Sequence, residues 1–201
     1  MRIGIDMDDT ITNSWECLLP YYSRMFNIPE DVLRKSKPYY NSVAHLITLE
    51  EYFEMMTPIY DSVIPNVTLK DNVKATIDAL YELGHQVFFI TARGRGHTDP
   101  YKDTKDYLDR YHIKYEKIIT NAENKAKACK EEHIDLFIDD SPRHAKEVSE
   151  LGIKVLMPET YYNKDVEFTH FNNWGEVLDL IKERWCHERH KNTYKRTIRW
   201  R

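Results

Sequence analysis

The sequence predicts an α/β fold, a doubly wound parallel sheet with a small helical cap inserted after the first strand. Three observations predict it. Short apolar runs of strand length alternate with stretches whose apolar residues recur at helical spacing, over short connections that suit right-handed crossovers. Several of those runs end abruptly in carboxylates or hydroxyls, and open α/β sheets bind ligands beyond such strand ends. The alternation is interrupted once, over residues 28–68, by a block rich in proline and aromatic residues that holds no strand pattern. A chain of 201 residues can bury one good core and a small extra module, but hardly two full domains. The expected division is a core from residues 1–13 and 70–185, a helical cap at 14–69 and a basic C-terminal tail at 186–201.

The elements follow in order. Ile3 and Ile5 alternate in a short first strand that ends in Asp6, Asp8 and Thr10 at every second position. Trp15, Leu18, Leu19, Tyr22 and Phe26 then mark a helix with Ser14 as its N-cap, and Pro20 predicts a break or kink inside it. Pro29, Pro38, Pro58 and Pro65 divide the next stretch into short helices. Asp71 to Leu83 is a helix with Val73, Ile77, Leu80 and Leu83 on one face, closed by Gly84. Gln86 to Thr91 is a continuous apolar strand, buried on both faces. A helix at Asp103 to Arg110, a strand at Lys117 to Thr120, a helix at Asn124 to Glu132 and a strand at Ile134 to Ile138 continue the alternation. Pro142 to Leu151 is a helix with proline in its first turn. Lys154 to Met157 reads as the last strand, and Trp174 to Trp185 as a terminal amphipathic helix.

Composition narrows the class. Charged residues make up 31% and hydrophobic ones 41%, and no apolar run approaches the ~18 residues needed to span a bilayer. Strand one begins at once, without a signal-peptide pattern, so the expected compartment is the cytoplasm. Cys17, Cys129 and Cys186 are far apart and odd in number, which suggests neither a disulfide framework nor a zinc site. A net charge of -4 gives no global attraction to nucleic acid.

Chemistry concentrates at three strand ends. The first carries Asp6-Met-Asp8-Asp-Thr10, the second Thr91-Ala-Arg93-Gly, the third Asp139-Asp140-Ser141-Pro142. Carboxylates crowded at strand ends repel one another unless a cation neutralises them, and a hard, oxygen-preferring ion such as Mg²⁺ is the natural choice. Lys125 and Lys127 open a helix, a place where the helix dipole disfavours cations unless an anion lies nearby. Asp-rich turns also cap helices, and lysines are most often solvated surface charges, but neither account predicts carboxylate, hydroxyl, lysine and carboxylate pair in that order.

That order resembles the four motifs of the haloacid dehalogenase (HAD) superfamily of phosphohydrolases, whose core is a Rossmann-like sheet. The resemblance covers roughly residues 1–13 and 70–158. Within the superfamily the chain is similar to the 5′(3′)-deoxyribonucleotidases of cytosolic type C and their bacterial relatives. Thr91-Ala-Arg93 carries this finer likeness, together with Lys125-Ala-Lys-Ala-Cys129 leading into Ile134-Asp-Leu-Phe-Ile-Asp-Asp-Ser, the place of the cap and the helix Trp174 to Ile181. Asp9-Thr10 departs from that group, which typically has glycine followed by a small or apolar residue.

The resemblance implies a Mg²⁺-dependent phosphomonoesterase. Asp6 would be the nucleophile that forms an aspartyl-phosphate, and Asp8 the general acid and base. Asp6, the Asp8 backbone carbonyl and Asp140 would hold Mg²⁺, with Asp139 supporting directly or through water. Thr91 and Lys125 would grip the phosphate, with Lys127 in reserve, and Thr10 would fix the loop. The expected substrate is a small phosphomonoester, a (deoxy)nucleoside monophosphate first and a sugar phosphate or other small metabolite as the alternative. Trp15, Tyr22, Tyr39, Tyr40 and Phe53 are candidates to stack on a base, although aromatics at helical spacing are more often core. Arg93 and Arg143 follow strand ends and could reach phosphate. A different class remains open, a nucleic-acid-binding or end-processing protein. The tail supports it, where Lys and Arg interleave with Tyr194 and Trp200 and where His187 and His190 form a weak metal pair. No membrane partner is expected, and oligomeric state stays open, a homodimer included.

Overall fold

The computed structural model describes residues 1–183. Six parallel strands form one sheet: β1 (Arg2–Ile5), β2 (Gln86–Ile90), β3 (Lys117–Ile119), β4 (Leu136–Ile138), β5 (Lys154–Pro158) and β6 (Thr169–Phe171). They lie in the order β3-β2-β1-β4-β5-β6. The chain therefore runs outward from β1 in one direction, then returns to the other side of β1 to build β4. Such a reversal opens a crevice at the carboxyl ends of β1 and β4, where this fold class binds its ligands. The backbone places Asp6 and Asp139 there, since Asp6 N–H donates to the Ile138 carbonyl at 2.9 Å and Asp139 N–H to the Leu156 carbonyl at 3.2 Å.

Both faces of the sheet are covered, as the apolar runs predict. Ile3, Ile5, Val87 and Phe89 point to one face, under helices α5 (Val73–Glu82) and α6 (Pro100–Arg110). Phe88, Ile90, Phe137 and Met157 point to the other, under α7 (Lys125–Glu131) and α8 (Pro142–Ser149). Gly4 sits on this second face, where a Cβ would stand 2.9 Å from the Phe137 ring, so glycine lets β1 and β4 lie close. The strand at Lys154–Pro158 is not the last one. Beta-six follows it at the sheet edge, reached through the loop 159–168, and its three residues are too few to declare an alternating pattern.

Between β1 and α5 the chain forms α1 (Ser14–Phe26), α2 (Glu30–Leu33), α3 (Tyr40–Val43), α4 (Leu49–Val63) and a 3₁₀ turn at Ile64–Asn66. The segment leaves and rejoins the core at one place, for Asn13 N–H donates to the Thr68 carbonyl and Lys70 N–H to that of Ile11. Its apolar side is continuous with the sheet core through Trp15, Leu18, Tyr22 and Met56. Helix α1 continues through Pro20 without a break, and α4, fifteen residues long, runs through Pro58 against the expected division at that proline. A proline orphans the carbonyl four residues earlier. Those carbonyls belong to Glu16 and Glu54, both exposed, where water can hydrate them. Nor does Ser14 cap α1. Asn13 holds the cap position, and the Ser14 hydroxyl donates instead to Asp8 at 2.5 Å. At the other end a 3₁₀ turn, Trp174–Glu176, leads into helical residues at 177–183. Trp185, Cys186 and the whole tail lie outside the described residues.

Candidate active site

Asp6 follows β1 directly, and the turn after it closes when Ile11 N–H donates to the Met7 carbonyl at 3.0 Å. That turn places Asp6 and Asp8 on the lining of one cavity of about 580 Å³, together with Thr91, Arg93, Lys125 and Asp140. Four separate strand ends and helix starts thus converge. The volume suits a small-molecule ligand, for which clefts of about 300–1,000 Å³ are usual.

At the cavity floor Lys125 bridges two carboxylates, Asp6 at 2.6 Å and Asp139 at 2.7 Å. Asn124 caps α7 by accepting from Lys127 N–H at 2.8 Å, which turns Lys125 inward and leaves Lys127 71% exposed beside Glu131. Of the two lysines, only Lys125 is at the site. Asp6, Asp139 and Asp140 each offer a carboxylate oxygen within 4.8 Å of the others. Three carboxylates against one ammonium leave two negative charges in a buried space. Burial pushes the Asp6 carboxyl well above its ordinary range, Lys125 opposes this, and Asp139 and Asp140 add to it. Burial and then Asp139 likewise raise Asp140. An all-oxygen donor set with that surplus charge fits a hard divalent cation.

The turn is pinned from several sides. The Thr10 hydroxyl donates to Asp140 at 2.8 Å, Asp140 N–H donates back to it at 3.1 Å, and Trp174 Nε1–H donates to the Thr10 carbonyl at 3.1 Å. Asp9, at φ 58°, accepts from Trp15 N–H at 2.9 Å and from the Tyr39 hydroxyl. Asp8 is gripped by Arg93, whose Nε and Nη2 each donate to it at 2.7 Å. Burial alone would raise Asp8, but the guanidinium overrides it and the Ser14 hydroxyl assists, bringing the carboxyl down to about 2. Arg93 therefore pairs with a carboxylate rather than standing free to meet phosphate.

The aromatic candidates divide. Trp15 and Tyr22 are core residues, 3% and 0% exposed, whereas Tyr39, Tyr40 and Phe53 line the cavity with Arg143. Sequence reasoning missed the loop after β5. There the Tyr162 hydroxyl donates to Asp140, and Asn163 Nδ2 donates to the Asp140 and Pro158 carbonyls at 2.9 Å each. It also missed Tyr60, His97 and His144, all of which line the cavity. Tyr-Tyr-Asn after a strand has no distinctive spacing, and a single histidine, in a loop like His97 or in α8 like His144, gives no signal until its neighbours are known.

Residues 1–186 match the family of 5′-nucleotidase, deoxy (pyrimidine), cytosolic type C proteins. A nucleotidase of Clostridium acetobutylicum is 31% identical over 187 residues, covering 90% of this chain and 93% of that protein. A Bacillus subtilis protein provisionally named a nucleotidase is also 31% identical, over 186 residues, with 90% and 93% covered. Among solved structures, a haloacid dehalogenase-like hydrolase from Streptococcus pneumoniae shares the fold, with a TM-score of 0.65 at 16% identity over 90% of this chain and 97% of that one. The chain accordingly belongs to the deoxy (pyrimidine), cytosolic type C 5′-nucleotidase family and is a phosphatase of the nucleotidase kind.

Proposed function

We propose that the protein hydrolyses nucleoside monophosphates, deoxynucleotides first among them, through a phosphoryl-aspartate on Asp6. One observation carries the reading. Asp6 lines the cavity while Lys125, 2.6 Å away, and a second carboxylate pair surround it. A carboxylate can approach a phosphate dianion only where cations flank the encounter, and covalent capture splits one hard displacement into two easier ones. Asp6, Asp139, Asp140 and the Asp8 backbone carbonyl would hold Mg²⁺, which supplies charge neutralisation to the phosphoryl oxygens when bound. Thr91 and Lys125 bind those oxygens. Asp8 protonates the leaving alkoxide and later takes a proton from the attacking water. The second role suits the ionised Asp8 that Arg93 maintains; the first requires that grip to loosen when substrate enters.

In this reading residues 14–69 act as the cap that selects substrate, since Tyr39, Tyr40 and Phe53 line the same cavity as the carboxylates. Phosphate release from a panel of deoxy- and ribonucleoside monophosphates, sugar phosphates and 3′-phosphorylated oligonucleotides tests the proposal, with and without Mg²⁺. Preference for deoxynucleotides is expected, as is loss of turnover in a folded Asp6→Asn variant. Activity confined to sugar phosphates would discard the nucleotide substrate and keep the chemistry, while full turnover by Asp6→Asn would discard the nucleophile.

A further inference from the structure

A second group of potential ligands lies apart from the catalytic carboxylates. Asp61 stands in the last turn of α4, Asp103 in the first turn of α6, and His97 in the loop between β2 and α6. One donor atom from each lies within 4.8 Å of the other two. The three elements are brought together by packing, and the group ties the helical insert to the core.

The histidine makes this more than an acidic cluster. Its side chain is only 7% exposed, yet Nδ1 has no hydrogen-bond partner and stops 3.9 Å short of an Asp103 oxygen. A direct N–H···O bond would close to about 2.7–3.2 Å. The ring cannot easily turn away, for it is stacked on Tyr60 with centroids 5.3 Å apart and planes 10° from parallel. The Asp61 carboxylate is also fixed, accepting from Thr98 N–H at 3.0 Å and from the Thr98 hydroxyl at 2.5 Å. A buried nitrogen thus faces the fixed Asp61 carboxylate and that of Asp103 without a hydrogen bond to either. Donors about 2.1 Å from one tetrahedral ion stand about 3.4 Å apart, so the 3.9 Å between His97 Nδ1 and Asp103 closes on an ion with a contraction of about half an ångström.

We propose that Asp61, His97 and Asp103 form a binding site for a divalent first-row transition ion, Zn²⁺ being the representative. The ligand chemistry separates it from the catalytic cluster. Imidazole with carboxylates suits Zn²⁺ and its neighbours, whereas an all-carboxylate set suits Mg²⁺. Three protein ligands leave positions for water. The bound ion cross-links α4 to α6 through the loop that also carries Arg93 and Arg95, and so stiffens the cavity wall formed by Tyr60 and His97. This site does not depend on the identity of the substrate or of the nucleophile.

The test is a calorimetric titration of the metal-stripped full-length protein with Zn²⁺ in the presence of saturating Mg²⁺, paired with Co²⁺ absorption spectra. One Zn²⁺ site is expected, with a Co²⁺ d–d spectrum of nitrogen and oxygen ligation and a rise in Tm on Zn²⁺ addition. Asp61→Asn and Asp103→Asn, nearly isosteric, each weaken Zn²⁺ binding by at least about tenfold. Equal melting of these variants and wild type in EDTA establishes that they fold. The tail variant His187→Gln/His190→Gln keeps the site. The proposal is overturned if wild type binds no Zn²⁺, if both aspartate variants bind it like wild type, or if binding disappears with the tail histidines.

Discussion

Arg93 and Asp9 show how single residues set the charge state of the site. Arg93 is buried to 1% exposure and donates to Asp8 from Nε and Nη2, so replacing it strands a carboxylate. Arg93→Met is expected to cost about 3–5 kcal/mol in urea denaturation, and adding Asp8→Asn should return part of that loss, the mark of a coupled pair. The Asp8 carboxyl is lowered in the folded state, so its stabilisation is present above the unfolded pKa near 3.8 and is lost as pH falls toward 2. Asp9 behaves in the opposite sense. Burial and then Asp140 raise it to about 7, against donors from Tyr39 and Trp15. The folded state binds its proton more tightly than the unfolded chain, so stability declines as pH rises from about 4 to 7. Asp9→Asn should therefore melt higher than wild type at pH 8 in EDTA, with the gap shrinking toward pH 5; a gap independent of pH would refute the assignment. Asparagine tolerates the φ of 58° found there. The sequence singled out Asp6, Asp8, Thr91, Lys125, Asp139 and Asp140 because they sit at strand ends in a telling order. It could not show that Arg93 faces a carboxylate rather than phosphate, because the partner lies 85 residues away.

At the scale of elements, the loop after β2 and helix α4 depend on each other's shape. Gly96 has φ +89°, and a Cβ there would stand 2.8 Å from the Phe53 ring and 3.3 Å from Tyr60. Gly96→Ala combines a strained backbone, about 1–2 kcal/mol, with overpacking of a further 1–3 kcal/mol or so. Gly84 supplies the control. It also has a positive φ, +76°, but nothing lies within 4 Å of its missing Cβ, so Gly84→Ala should cost only the backbone part. Chemical denaturation of the two variants separates the contributions, and equal losses would mean that Phe53 moves aside freely. Periodicity made α5, α6, α7 and α8 legible because each has one buried stripe between polar residues. Proline misled at Pro58, since the cost of a proline depends on whether the orphaned carbonyl faces water, which a linear sequence does not state. Beta-six went unseen for another reason. An edge strand of three residues takes its place from pairing with β5, not from its own pattern.

For the whole molecule, the decisive feature is that the strand order reverses at β1 and gathers three carboxyl-bearing or lysine-bearing segments into one buried, negatively charged crevice. The alternation of strands and helices made the sheet readable, and with it the crevice. The loop 159–168 that covers Asp140 was not readable, because the contacts that carry it to the site, Tyr162 and Asn163 on Asp140, join residues more than twenty positions apart. The fold accepts this surplus charge as a standing strain, and a divalent cation is expected to relieve it. Without the ion, Asp140 repels Asp139 inside a space that already disfavours ionisation. Asp140→Asn removes one charge while retaining an oxygen for the Thr10 hydroxyl, so in EDTA the variant should melt above wild type. Saturating Mg²⁺ reverses the order. An ion that binds only the folded state stabilises it by about 2.7 kcal/mol at a hundred times its Kd, and the variant, short of a ligand, forgoes most of that gain. The crossing of two melting curves between EDTA and Mg²⁺ is the signature sought by differential scanning calorimetry. Were wild type to melt above Asp140→Asn by the same margin in both, Asp140 would be an ordinary hydrogen-bonded core residue, and the metal would have to bind elsewhere.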